Sequence, residues 1–92
     1  IGEDMLCPTM DFSVVDKVYQ VTDKESFTMA RELTRKEGIF GGGSSGAAVH
    51  AALIHAKRMK EGEIMIVILP DGGIKYISKI FNDDWMKEKG FL

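Results

Sequence analysis

Six consecutive residues, Gly41-Gly42-Gly43-Ser44-Ser45-Gly46, bring four glycines and two hydroxyls together immediately before an alanine-rich stretch. Between a short extended pair and a helix start, such a run gathers backbone amides, hydroxyls and the positive end of a helix dipole at one point. That chemistry suits an anion or a polar ring atom. The glycines permit close backbone approach to a ligand, and the same composition also serves as a purely structural tight turn. The phosphate loop of nucleotide hydrolases needs Lys-Ser or Lys-Thr after its last glycine, whereas Ala47 follows Gly46 here. Gly41, Gly43 and Gly46 do satisfy the glycine spacing of a dinucleotide fingerprint. The candidate acids, Glu61 and Glu63, precede the next strand and do not close its end, where a ribose is met.

A second turn, Pro70-Asp71-Gly72-Gly73, follows the most apolar run of the chain. Ligands in open α/β sheets bind outside the carboxyl ends of strands, so the two turns are expected on one edge, around a shared pocket. Elsewhere the side chains point to ordinary packing. His50 and His55 are five positions apart, a spacing that does not place both on one face of a regular helix, and no cysteine or carboxylate set completes a metal site. Lys75 and Tyr76 are types that serve as acid or base, and read first as solvent-facing helix residues. The single cysteine, Cys7, forms no disulfide within the chain, which fits a reducing compartment.

Positioning these turns requires regular elements. Thr22 and Glu25 have capping-box spacing, and Phe27, Ala30 and Leu33 then recur on one helical face. Arg35 and Lys36 suit the negative end of the dipole and Gly38 supplies a left-handed stop, so a helix is predicted over 24–37. Arg31 joins them on the exposed face. A second helix is predicted over 46–60, ending at Gly62. Its alanines, Ala47, Ala48, Ala51, Ala52 and Ala56, leave a small surface that another backbone or a ligand can approach. Strands are predicted at 18–21, at Ile39-Phe40 and at 64–69. The last is apolar on both faces, as in a parallel sheet covered by helices. Tyr76, Ile77 and Ile80 mark a third helix, and Asp83 or Asp84 is expected to cap a final turn around Trp85 and Met86. The alternation of strands and helices defines an α/β protein.

Ninety-two residues with 45% hydrophobic and 28% charged side chains describe one globular segment with a thin core. Twelve basic against fourteen acidic residues give a net charge of −2, without the basic excess or stripe of a nucleic-acid binder. No apolar run reaches the roughly 18–20 residues of a membrane helix. Two or three short strands are marginal alone, so the segment is expected to belong to a larger domain or to meet a symmetric partner.

The motifs carry a resemblance. Glu37-Gly38-Ile39 leading into Gly42-Gly43-Ser44-Ser45-Gly46-Ala47-Ala48 resembles the fold-type II pyridoxal-phosphate enzymes, the cysteine synthase and cystathionine β-synthase family. Ile1-Gly2-Glu3-Asp4, Val15-Asp16, Ile68-Leu69-Pro70-Asp71 and Tyr76-Ile77-Ser78-Lys79 fall where that family has similar runs, and the stretch from Ile80 to Leu92 is similar to its cystathionine β-synthase branch. The resemblance spans essentially residues 1–92 and corresponds to the C-terminal third of a catalytic core.

It implies a three-layer domain with a parallel sheet, of the tryptophan synthase β-like architecture, holding pyridoxal 5'-phosphate. It implies β-replacement in sulfur amino-acid metabolism, joining a serine-type donor to a thiol: homocysteine giving cystathionine, or sulfide giving cysteine. Ser44 matches the serine that hydrogen-bonds the cofactor's ring nitrogen, with Gly43, Pro70 and Asp71 near the same pocket. A neutral hydroxyl leaves the ring a weaker electron sink than a carboxylate would, which favours β-replacement over transamination. Ala47 and Ala48 are read as leaving space behind the ring. Ile1 and Gly2 match a substrate-bordering loop, and Glu3 stands where animal-type members carry tyrosine. The family's Schiff-base lysine, phosphate loop and substrate-carboxylate loop match nothing in these residues, so the segment alone is expected to be inactive and to need the rest of the core. A cytoplasmic homodimer is the family's usual state. A stand-alone α/β binding module and a nucleotide-binding domain remain the competing expectations.

Overall fold

The computed structural model describes residues 8–92; the expectations for Ile1, Gly2, Glu3 and Cys7 lie outside the described residues. Helix α1 (Asp23–Glu37) begins as its sequence dictates. The Thr22 hydroxyl accepts from the Glu25 amide at 3.2 Å while the Glu25 carboxylate accepts from the Thr22 amide at 2.9 Å. A reciprocal cap of this kind stabilises a helix by about 1 kcal/mol. The helix ends at Gly38, whose φ of 70° is left-handed. Glu32 pairs with Arg35 and Lys36 on the exposed side.

Helix α2 (Gly43–Ala56) starts three residues before the position predicted and ends four residues earlier than expected, with turns rather than helix leading to Gly62. The principal packing of the molecule is α1 against α2. Gly46 makes it possible: a Cβ there would lie 2.0 Å from the Ser26 carbonyl oxygen and 2.9 Å from the Ala30 nitrogen. Ser26 and Ala30 are correspondingly buried on the facing side of α1.

The C-terminal segment folds back on α1. Helix α3 (Asp83–Glu88) is capped by Asn82, whose side-chain oxygen accepts from the Asp84 and Trp85 amides; Asp83 and Asp84 lie within the first turn and are not its cap. Trp85 and Phe91 gather around Phe27 of α1 with ring centres 5.2–6.0 Å apart, and Met86 and Ile80 are fully buried. Arg31 is half-buried, not part of the exposed face. It donates to the Ile80 carbonyl at 2.9 Å and pairs with Asp83, tying α1 to this segment. Where a third helix is predicted there is a short 3-10 turn, Ile74–Tyr76, followed by turns.

The α/β expectation is corrected in one respect: no strand or parallel sheet forms among the described residues. Residues 18–21 and 64–69 carry no ladder among the described residues, where the one β-bridge is antiparallel, between Gly41 and Gly72. The reason is that 64–69 meets no pairing partner among the described residues. Met65 and Val67 are half-buried and line a groove on α2 with Ala48, Ala51 and Ala52. Their neighbours Ile64, Ile66 and Ile68 are 88%, 84% and 75% exposed. The alternation is therefore that of a strand with one face covered and its hydrogen-bonding edges open, and an isolated strand does not persist as regular structure.

Candidate functional site

The α2 N-terminus has no cap of its own, because Gly42 at the cap position has no side chain. The cap comes from the second glycine turn. One Asp71 carboxylate oxygen accepts from the Ser45 amide at 2.8 Å and from the Ser45 hydroxyl at 2.7 Å; the other accepts from the Ser44 amide at 3.2 Å. Backbone bonds complete the junction: Gly42 donates to the Asp71 carbonyl at 3.2 Å and Gly73 donates to the Phe40 carbonyl at 2.9 Å. The two turns thus meet directly, without a strand between them.

An anion at this position is favoured by the unpaired amides and dipole of the first helical turn. Burial acts to raise the Asp71 carboxyl. Hydrogen bonds from the Ser45 side chain and from the Ser45, Ser44 and Gly42 amides outweigh it and hold the group below its ordinary value. On the facing side Gly42 leaves room for both neighbours, since a Cβ there would crowd the Asp71 carboxylate and the Tyr76 ring and one of these side chains would have to shift.

Pro70 and Asp71 line a cavity of about 430 Å³ together with Gly72, Ile74, Lys75 and Tyr76. Gly43 is buried as the first residue of α2. Ser44 is half-buried, and its hydroxyl has no hydrogen-bond partner among the described residues. The structure therefore brings Ser44 and Asp71 together through the helix start, while neither Gly43 nor Ser44 lines the cavity beside Pro70. Lys75 is exposed and Tyr76 is half-buried against Gly42. Ala48 lines a groove on α2 together with residues 65–68, so the small surface of α2 faces another part of the chain. The histidines take separate partners: His50 meets Glu25 at 3.0 Å and His55 meets the Tyr19 hydroxyl at 2.7 Å.

Sequence reasoning missed Ser45, which is fully buried and reciprocally bonded to Asp71. The signal was present in weak form: a serine at the third position of an uncapped helix, and an aspartate in a turn that needs a donor.

Asp71 occupies the Ser44 and Ser45 amides, and the hydroxyl of Ser44 is a neutral group at the helix start without a partner among the described residues. That donor–acceptor chemistry fits the nitrogen of a heteroaromatic ring. Residues 6–71 match the model of the pyridoxal-phosphate dependent enzymes, and the chain belongs to that family. Its sequence is 46% identical over all 92 residues to cystathionine beta-synthase of Oryctolagus cuniculus, of which it spans 17%. It is 42% identical over 79 residues to O-acetylserine dependent cystathionine beta-synthase of Bacillus subtilis, covering 86% of this chain and 26% of that protein. To a putative cysteine synthase of Sinorhizobium fredii it is 34% identical over 89 residues, 97% of this chain and 26% of that protein. The chain thus spans about a sixth to a quarter of these relatives.

Proposed function

We propose that residues 1–92 form the C-terminal portion of the catalytic core of a β-replacement enzyme joining a serine-type donor to a thiol. The thiol is homocysteine, giving cystathionine, or sulfide, giving cysteine. The observation that carries this reading is the division of labour at the α2 N-terminus. Asp71 takes the Ser44 and Ser45 amides, and the neutral Ser44 hydroxyl, without a partner among the described residues, is left for the ring nitrogen of the cofactor. The same observation weighs against the dinucleotide reading of Gly41, Gly43 and Gly46, whose phosphates would need those amides.

Pyridoxal phosphate, when bound, supplies the electron sink that lets a β-substituent leave an amino acid and a thiol take its place. Ser44 holds the ring nitrogen by a hydrogen bond without fixing a proton on it. Gly43 permits the close approach of the helix start, and Pro70 and Asp71 wall the adjoining cavity. Ile1, Gly2 and Glu3 border the substrate in this reading. The open backbone edges of 64–68 are where a sheet of the core joins, and the row of Ile64, Ile66 and Ile68 is the face that the rest of the core covers, which agrees with the small share of its relatives that the chain spans. A cytoplasmic homodimer completes the reading; among the described residues no helix is long and apolar enough to cross a membrane.

The test is Ser44→Asp in the naturally expressed holoenzyme. A carboxylate there fixes the proton on the ring nitrogen, so β-replacement turnover is expected to fall by about 100-fold or more, with a much smaller change in cofactor affinity. Unchanged turnover refutes the role given to Ser44.

A further inference from the structure

The geometry points to Asp71 as a positioning residue that acts on the cofactor through Ser44 and does not itself touch the ring. This rests on the reading of Ser44 given above and assigns Asp71 a different task from that of a direct contact. Three of its hydrogen bonds are the argument. Its carboxylate takes the amides of both Ser44 and Ser45 and the hydroxyl of Ser45, so all three acceptor directions used point into the helix start and none into the open cavity. The backbone of Asp71 is bound as well: its carbonyl accepts from Gly42 and from the Ser45 hydroxyl at 2.8 Å. Ser44 and the residue that follows it are therefore tied to one side chain, 27 and 26 positions away in sequence.

That clamp replaces something α2 lacks. Most helices fix their first turn with a local side-chain cap, and Gly42 offers none. Without Asp71 the first turn of α2 is free to fray, and the hydroxyl of Ser44 loses its fixed direction. A hydrogen bond to a ring nitrogen tolerates little misplacement, since displacements of about 1 Å cost catalytic groups as much as 100-fold. Ser45 is the second half of the device: buried completely, it shares its one hydroxyl proton between the carboxylate and the carbonyl of Asp71 and accepts from the Asp71 amide.

The experiment is a double-mutant cycle in the naturally expressed protein, pairing Asp71→Asn with Ser44→Ala. The readouts are the cofactor dissociation constant, the absorption band of the bound cofactor, and amide hydrogen exchange at Ser44 and Ser45 in the cofactor-free protein. Asp71→Asn keeps the shape and removes the charge. It is expected to speed exchange at both amides, to shift the band and to weaken cofactor binding about tenfold. In the Ser44→Ala background the same substitution is expected to change binding less than about twofold, because its route of action is gone. Equal losses in both backgrounds overturn the proposal, since Asp71 then acts independently of Ser44. If Ser44→Ala by itself alters neither affinity nor band, the reading of Ser44 fails, a result distinct from an additive cycle. Should Asp71→Asn not fold, Ser45→Ala stands in for it: about threefold weaker binding, lost when Ser44 is alanine, supports the clamp, and unchanged binding overturns it.

Discussion

Gly46→Ala separates helix propensity from packing, because the two demand opposite signs. Gly46 is the fourth residue of α2, and alanine in place of glycine within a helix ordinarily stabilises by about 0.5–1 kcal/mol. The structure reverses this. The added Cβ would meet the Ser26 carbonyl oxygen at 2.0 Å and the Ala30 nitrogen at 2.9 Å. Carbon and oxygen in contact need about 3.2–3.5 Å, so the deficit exceeds about 1 Å. Both opposing atoms belong to the backbone of α1, so no rotamer change relieves the clash and the helices must part. Overpacking of this kind costs about 1–3 kcal/mol, and an all-backbone clash belongs at the upper end. After the propensity gain the net loss is about 2 kcal/mol, a shift of about 1 M in a urea midpoint for a slope near 2 kcal/mol/M. Urea unfolding of the naturally expressed protein, followed by Trp85 fluorescence against wild type, reads it directly. A midpoint equal to or above that of wild type refutes the α1–α2 contact as described.

Two further outcomes follow from the caps. Thr22→Ala removes one half of the capping box while leaving Glu25 in place, and is expected to lower stability by about 1 kcal/mol in the same urea assay; an unchanged midpoint contradicts the cap. Acid sensitivity has a definite sign. Asp71 and Asp83 lie below their ordinary value of 3.8, and Glu25 lies below its ordinary 4.5. For such groups the unfolded chain binds the extra protons first, so their stabilisation is complete above about pH 5 and is lost as pH falls through the lowered values. Urea midpoints are expected to hold between pH 7 and 5 and to drop below about pH 4, less steeply in Asp71→Asn; a flat profile down to pH 3 rules out these carboxylates as contributors.

Much of the candidate site was readable in one dimension because its parts are local. The glycine run, the serine that opens α2, and the Pro70-Asp71 turn are each contiguous, and their composition announces a helix start and a chain reversal. What escaped was the bond between them. Asp71 caps a helix from 26–27 positions away, and no spacing rule reports a cap supplied across the fold. The same limit explains Asn82 and Arg31. Asn82 took the cap because it stands one position ahead of the first helical turn, whereas Asp83 already lies inside it. Arg31 looked like a surface cation until the C-terminal segment folded over it.

By itself, the sequence determined α1 almost to the residue, since its capping box, apolar stripe and glycine stop act within a few positions of one another. It also determined that 64–69 is made for burial on two faces. Whether that burial is achieved is a tertiary matter. A helix satisfies its own backbone, but a strand depends on neighbours, and among the described residues α2 and Tyr19 cover one side. The tertiary structure likewise decided that the Gly42, Ser44 and Ser45 amides are taken by Asp71, while the Ser44 hydroxyl has no partner among the described residues. Competition between an internal carboxylate and an outside ligand for the same donors is settled only when the two turns meet in space.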